Sequence, residues 1–185
     1  MVEQGTENPC VGGSTPPWPT MVTLYNDSLF TTDCKVLVNT VNCAGAMGKG
    51  IALEFKNRYP DMYLKYKEIC KNGLLEPGKL WIYPVPNSDL RILNFPTKKH
   101  WSSKSKLDYI EAGLEKFVKT YKEKGITEIA FPLLGCTNGG LNYQTVLPIM
   151  VNTLNSLDID VKIYCNGIDE GYFQTYKEYL DIENS

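Results

Sequence analysis

The chain has 185 residues, 43% of them hydrophobic and 22% charged. That is enough length and apolar content for one globular domain with its own core. The formal net charge of −2 gives no overall field that recruits nucleic acid, and no run of about 18 apolar residues is present to span a membrane.

Residues 1–20 hold Gly5, Pro9, Gly12, Gly13, Pro16, Pro17 and Pro19 and read as a flexible leader, with an interaction tail around Trp18 as the alternative. A globular unit is expected from about Met21 to about Leu180, followed by a short tail over 181–185. Met21–Tyr25 is a short strand. Lys35–Val41 is a nearly continuous apolar strand, as expected where helices cover both faces. Gly50–Arg58 and Asp61–Lys71 are helices, the second with Asp61 in its first turn and Gly73 just past its end. Lys79–Tyr83 and Arg91–Phe95 are strands. Ser105–Lys124 is the clearest helix, with Ser105 and Asp108 in a capping-box pattern. Leu107, Ile110, Leu114, Phe117, Val118 and Tyr121 recur along it at helical spacing. Glu128–Leu134 is a second buried strand. Asn142–Leu154 and Asp169–Leu180 are helices on either side of the strand Val161–Cys165. This alternation predicts an α/β fold, one mixed sheet with helices on both faces.

Two glycine-rich turns each follow an apolar strand. The first runs Asn39-Thr40-Val41-Asn42-Cys43-Ala44-Gly45-Ala46-Met47-Gly48-Lys49-Gly50, and the second Gly135-Cys136-Thr137-Asn138-Gly139-Gly140-Leu141. Such turns let backbone N–H groups approach an anion, with a helix dipole behind them. Two of them suggest a cradle for a diphosphate or nucleotide. The spacing Gly45-x-x-Gly48-x-Gly50 is neither the dinucleotide fingerprint nor a P-loop. A tight strand-to-helix connection remains the plainer reading. Asn39 and Asn42 favour a ligand, because they stand where open α/β sheets bind one and suit a bound hydroxyl.

The long motifs carry a resemblance. Asn39-Thr40-Val41-Asn42 with Gly45-Ala46-Met47-Gly48-Lys49-Gly50-Ile51-Ala52 resembles the macrodomain family, the ADP-ribose-binding module with a three-layer α/β/α fold. Within the family it is most similar to the clade of DarG-type DNA ADP-ribosyl glycohydrolase antitoxins and the terminal ADP-ribose glycohydrolase. Asn26-Asp27-Ser28-Leu29, Asn94-Phe95-Pro96-Thr97-Lys98-Lys99-His100-Trp101, Ser105 through Gly113 and Pro132 through Tyr143 agree with it in the same order. The resemblance implies adenine beside Asp27 and Ser28, and the distal ribose at Asn42 with Asn39 behind it. It also implies that Gly45, Met47, Gly48, Lys49, Gly50 and Ile51 wrap that ribose and the diphosphate. Gly135, Cys136, Thr137, Asn138, Gly139, Gly140 and Leu141 would hold the phosphates. Lys98 is implied as the catalytic residue. The acid that the terminal glycohydrolase carries in its phosphate loop would fall at Gly139, which favours the antitoxin pattern. From its residue type alone, Lys98 reads as a solvated surface lysine.

Between Arg91 and Lys106 stand Arg91, Lys98, Lys99, Lys104, Lys106 and His100, with no acid. A basic strip beside the site suits DNA, and Trp101 could stack on an unpaired base. Lys99, His100, Trp101 and Lys104 are therefore candidate DNA contacts, against the alternatives of a solvated face and a packing aromatic.

Six cysteines are scattered without a C-x-x-C pair, and His100 is the one histidine, so neither metal nor cofactor is expected. Cys43 and Cys136 read as small packing residues rather than nucleophiles. The thiols are expected to be reduced, as in the cytoplasm. The resemblance implies removal of ADP-ribose from DNA bases, with ADP-ribose, ADP-ribosylated DNA and a cognate ADP-ribosyltransferase toxin as partners. Removal of ADP-ribose from protein glutamate, hydrolysis of ADP-ribose 1″-phosphate and binding without turnover are the alternatives.

Overall fold

The computed structural model describes residues 22–183. The expected leader, with Trp18, and the last two residues lie outside the described part. Six strands form one sheet, β1 (Val22–Tyr25), β2 (Val36–Asn42), β3 (Trp81–Pro84), β4 (Arg91–Lys98), β5 (Glu128–Pro132) and β6 (Asp160–Tyr164). The helices among the described residues are α1 (Gly50–Arg58), α2 (Pro60–Lys71), α3 (Leu107–Thr120), α4 (Tyr143–Leu154) and α5 (Glu170–Glu183).

The strand order is β1-β6-β5-β2-β4-β3. All neighbours are parallel except β3, which runs antiparallel to β4 at the edge. The apolar run of β2 is explained by its central place, with side chains alternating between two covered faces. Val36 and Val38 enter one core with Phe95, Phe131 and residues of α3, α4 and α5. Leu37 and Val41 enter the other, with Ile92, Ala130 and residues of α1 and α2. The result is the expected three-layer α/β/α fold with a mixed sheet.

The chain leaves β2 toward β4 on one side and returns to β5 on the other. The ends of β2, β4 and β5 therefore open at one edge of the sheet, where connections diverge and a crevice forms. Gly113 brings α3 close to this region. A Cβ there would lie 2.2 Å from the ring of Phe95 on β4, so only glycine allows the approach.

Several element ends differ from the sequence reading. The capping box at Ser105 and Asp108 is absent. α3 begins at Leu107 after Lys106, with no side-chain cap. Ser105 is buried instead, and its backbone N–H donates to the Gly139 carbonyl at 2.9 Å. A tertiary bond to the second glycine turn thus replaces the local cap. α3 stops at Thr120, and Arg91 donates to the carbonyls of Lys124 and Gly125 beyond it. β4 continues past Phe95 to Lys98, and β5 ends at Pro132. α5 runs to Glu183, past the expected end at Leu180.

Candidate functional site

The edge crevice is a cleft of about 840 Å³, within the usual range for small-molecule sites. Both glycine turns border it. From the first come Asn42, Ala46, Gly48, Lys49, Gly50 and Ile51, and from the second Gly135 through Gly139. Asp27 and Ser28 close one end, and Thr97, Lys98 and Trp101 come from the end of β4 and the loop after it.

The first turn is fixed from inside. The Asn42 side chain donates to the Ala46 carbonyl at 2.6 Å and accepts from the backbone N–H groups of Ala44 and Ala46 at 3.0 and 3.3 Å. The hydroxyl of Tyr66, fully buried on α2, donates to the Asn42 carbonyl at 2.5 Å. Asn42 lines the cleft, but most of its hydrogen-bonding capacity holds the turn that sequence reading assigned to the ligand. Gly45 supplies the left-handed backbone, with φ +80°. The turn then leads into α1 with Lys49 at its N-cap, so the positive end of that helix meets the cleft.

The second turn is fixed by glycines and by Ser105. A Cβ on Gly139 would lie 2.2 Å from both the Gly135 carbonyl oxygen and the Ser105 hydroxyl. The two turns meet at Gly50, where a Cβ would lie 2.2 Å from the Asn138 amide nitrogen.

Lys98 joins the third side. Its Nζ donates to the Asn138 carbonyl at 2.9 Å. Burial, with the charge of Lys49 as a smaller cause, holds its ammonium below the ordinary lysine range. The strand ladder is irregular here. Val41 pairs with Pro96 and Asn42 with Lys98, and Thr97 is skipped. Cys43 N–H then bonds the carbonyls of Lys98 and Lys99, tying the strand end to the first turn. Burial raises the Cys43 thiol to about 11 and the Cys136 thiol to about 12. Both stay protonated near neutral pH, consistent with packing roles.

Five expected ligand residues do not line the cleft. Asn39 is buried in the sheet, donating to Asn94 at 3.0 Å. Met47 is buried in the α1–α2 core. Gly45 faces Lys67 and Cys70 behind the turn. Gly140 and Leu141 shape the far side of the second turn, where Leu141 N–H closes onto the Gly135 carbonyl at 3.0 Å. Lys99, His100 and Lys104 are exposed beyond the cleft wall, while Trp101, 60% exposed, lies on its rim against His100. Arg91 belongs to no strip beside the site, because it stands at the opposite end of β4, bonded to the chain past α3. Sequence reasoning missed Thr97, Phe30, Tyr164 and Asn166, which also line the cleft. Asn166-Gly167 follows a third parallel strand, and that was the signal available for it. Among the described residues, no group of three or more His, Cys, Asp or Glu side chains is placed to hold a metal ion.

The Macro domain family model matches residues 38–150, from mid-β2 to α4, so both glycine turns and Lys98 fall inside it. This chain belongs to the macrodomain family. The macrodomain is 45% identical over 147 residues to the DNA ADP-ribosyl glycohydrolase of Mycobacterium tuberculosis, covering 78% of this chain and 42% of that protein. It therefore spans less than half the length of such curated relatives. The solved macrodomain of M. tuberculosis DarG superposes with a TM-score of 0.75 at 45% identity, covering 78% of this chain and 97% of that structure. Thermosipho africanus DarTG in complex with ADP-ribose gives a TM-score of 0.78 at 35% identity, covering 83% of this chain and 44% of that one. No helix among the described residues is long and apolar enough to cross a membrane.

Proposed function

We propose that this macrodomain binds ADP-ribose in the cleft and hydrolyses its linkage to a DNA base. The observation that carries the reading is Lys98, an amine held between the two glycine turns by the Asn138 carbonyl. The turns offer backbone N–H groups to a diphosphate, and Lys49 adds positive charge. Asp27 and Ser28 then lie at the adenine end. Lys98 in its neutral form adds to the anomeric carbon as the bond to the base breaks. The electron pair leaves with the base, which takes up a proton, and water then releases ADP-ribose from the lysine. Trp101, with Lys99, His100 and Lys104 beyond the rim, receives the DNA strand, since aromatic and basic side chains suit single-stranded nucleic acid.

The names of the similar proteins support a DNA substrate. The T. africanus relative is a DNA ADP-ribosyl transferase–DNA ADP-ribosyl glycohydrolase fusion, and we read the cognate partner of this chain as a transferase of that kind. The five free cysteines of the described residues fit the reducing cytoplasm. Mass spectrometry of an oligonucleotide carrying ADP-ribose on thymidine tests the reading. Free ADP-ribose and unmodified DNA are expected. Intact substrate that remains bound to the protein would make it a reader.

A further inference from the structure

The end of β4 carries a second polar side chain to which nothing above gives a task. Thr97 is 3% exposed and lines the cleft beside Lys98. In a regular strand these neighbours would face opposite sides. The bulge removes that alternation, because Thr97 is left without a partner between the Val41–Pro96 and Asn42–Lys98 pairs. Bulges re-aim side chains in this way beside active sites. The Thr97 hydroxyl is hydrogen-bonded to no other described residue. The hydroxyl is not among the fully buried unpaired atoms, so it keeps access to the cleft, where a ligand or water can satisfy it. Meanwhile Asn42, the residue expected to meet a ribose hydroxyl, has its amide engaged in the turn.

We propose that Thr97 is a substrate-positioning residue whose hydroxyl bonds the distal ribose and holds the anomeric carbon beside Lys98. The proposal rests on the reading of the cleft as an ADP-ribose site. A threonine hydroxyl both donates and accepts, which suits a ribose hydroxyl. Lys98 supplies the amine, and Thr97 fixes the sugar against it.

Thr97→Val removes the hydroxyl and keeps the shape, while Thr97→Ser keeps the hydroxyl. On DNA-linked ADP-ribose, the valine variant should lose about tenfold or more in kcat/KM, and serine should stay within about threefold of the unaltered protein. Calorimetry should show ADP-ribose affinity falling about threefold or more in the valine variant only. The melting temperature of the valine variant should not fall, since no protein hydrogen bond is lost. Unchanged kcat/KM and affinity in Thr97→Val would overturn the proposal. So would a lower melting temperature with valine and serine equally impaired, because that pattern marks a structural threonine. If the unaltered protein cleaves nothing, the reading as a hydrolase fails. Thr97 is then judged on ADP-ribose affinity alone, where an unaffected valine variant overturns it.

Discussion

Lys98 Nζ and the main-chain carbonyl of Asn138 are 2.9 Å apart, a hydrogen bond that joins the end of β4 to the second glycine turn. The amine is thereby held in the cleft by a neutral acceptor. Among the described residues no carboxylate forms an ion pair with it, and burial together with Lys49 disfavours its charged form.

Removing this amine should affect turnover far more than binding. Lys98→Ala is expected to hold ADP-ribose within a few-fold of the unaltered protein. Its cleavage of DNA-linked ADP-ribose should slow by about a hundredfold or more, the scale of losing one group that acts in the transition state. Lys116→Ala serves as the control, because Lys116 is exposed on α3, does not line the cleft and is given no part in binding DNA. Single-turnover rates of the two variants check this.

The pH profile should show Lys98 directly. Its pKa lies below the ordinary lysine value, so the neutral amine accumulates at lower pH than for a free lysine. If the neutral form reacts, kcat/KM rises by about tenfold per pH unit below that pKa and levels off above it. A rate that instead falls as pH climbs through the same window would assign the protonated form.

The glycines of the two turns should respond differently. At Gly48 a Cβ meets nothing within 4 Å, and no positive φ is required. Gly48→Ala should fold with an unchanged melting temperature, whereas a bulky residue there should project into the cleft and block ADP-ribose. At Gly139 even alanine collides with the Gly135 carbonyl and Ser105. Gly139→Ala should distort the turn and weaken ADP-ribose binding by about tenfold or more. Differential scanning fluorimetry and calorimetry separate the two cases.

Two surface substitutions test where the basic strip ends. Trp101→Ala should weaken cleavage of DNA-linked ADP-ribose by about tenfold while leaving free ADP-ribose binding near normal, given the scale of base stacking on an aromatic. Arg91→Ala should leave catalysis unchanged and lower stability by about 1 kcal/mol through its lost bonds past α3. Steady-state kinetics and thermal unfolding report the two effects.

The sheet was legible in the sequence because its buried strands hold short apolar runs, as in Val36-Leu37-Val38 and Ile129-Ala130-Phe131. The helix on Leu107, Ile110, Leu114 and Phe117 showed its period directly. The two glycine turns and Lys98 were legible as motifs. The path of individual side chains was not. Asn39 sits at a strand end by sequence, yet the register pairs it with Asn94 inside the sheet. Ser105 has the local pattern of a cap, but Gly139 offers its backbone a tertiary acceptor. Thr97 faces the cleft only because the ladder skips it, and a bulge has no simple sequence period. Arg91 and Lys98 are close in sequence, but a strand keeps its two ends apart.

The activity proposed for this macrodomain is removal of ADP-ribose from DNA. The most direct test is parallel measurement of ADP-ribose release from thymidine-linked DNA and from glutamate-linked protein, each at equal concentration and with a chelator present. Rapid release from the DNA, slow or no release from the protein, and loss of the DNA activity in Lys98→Ala are expected. Faster release from the protein substrate, or release from DNA that persists in Lys98→Ala, would overturn the proposed activity.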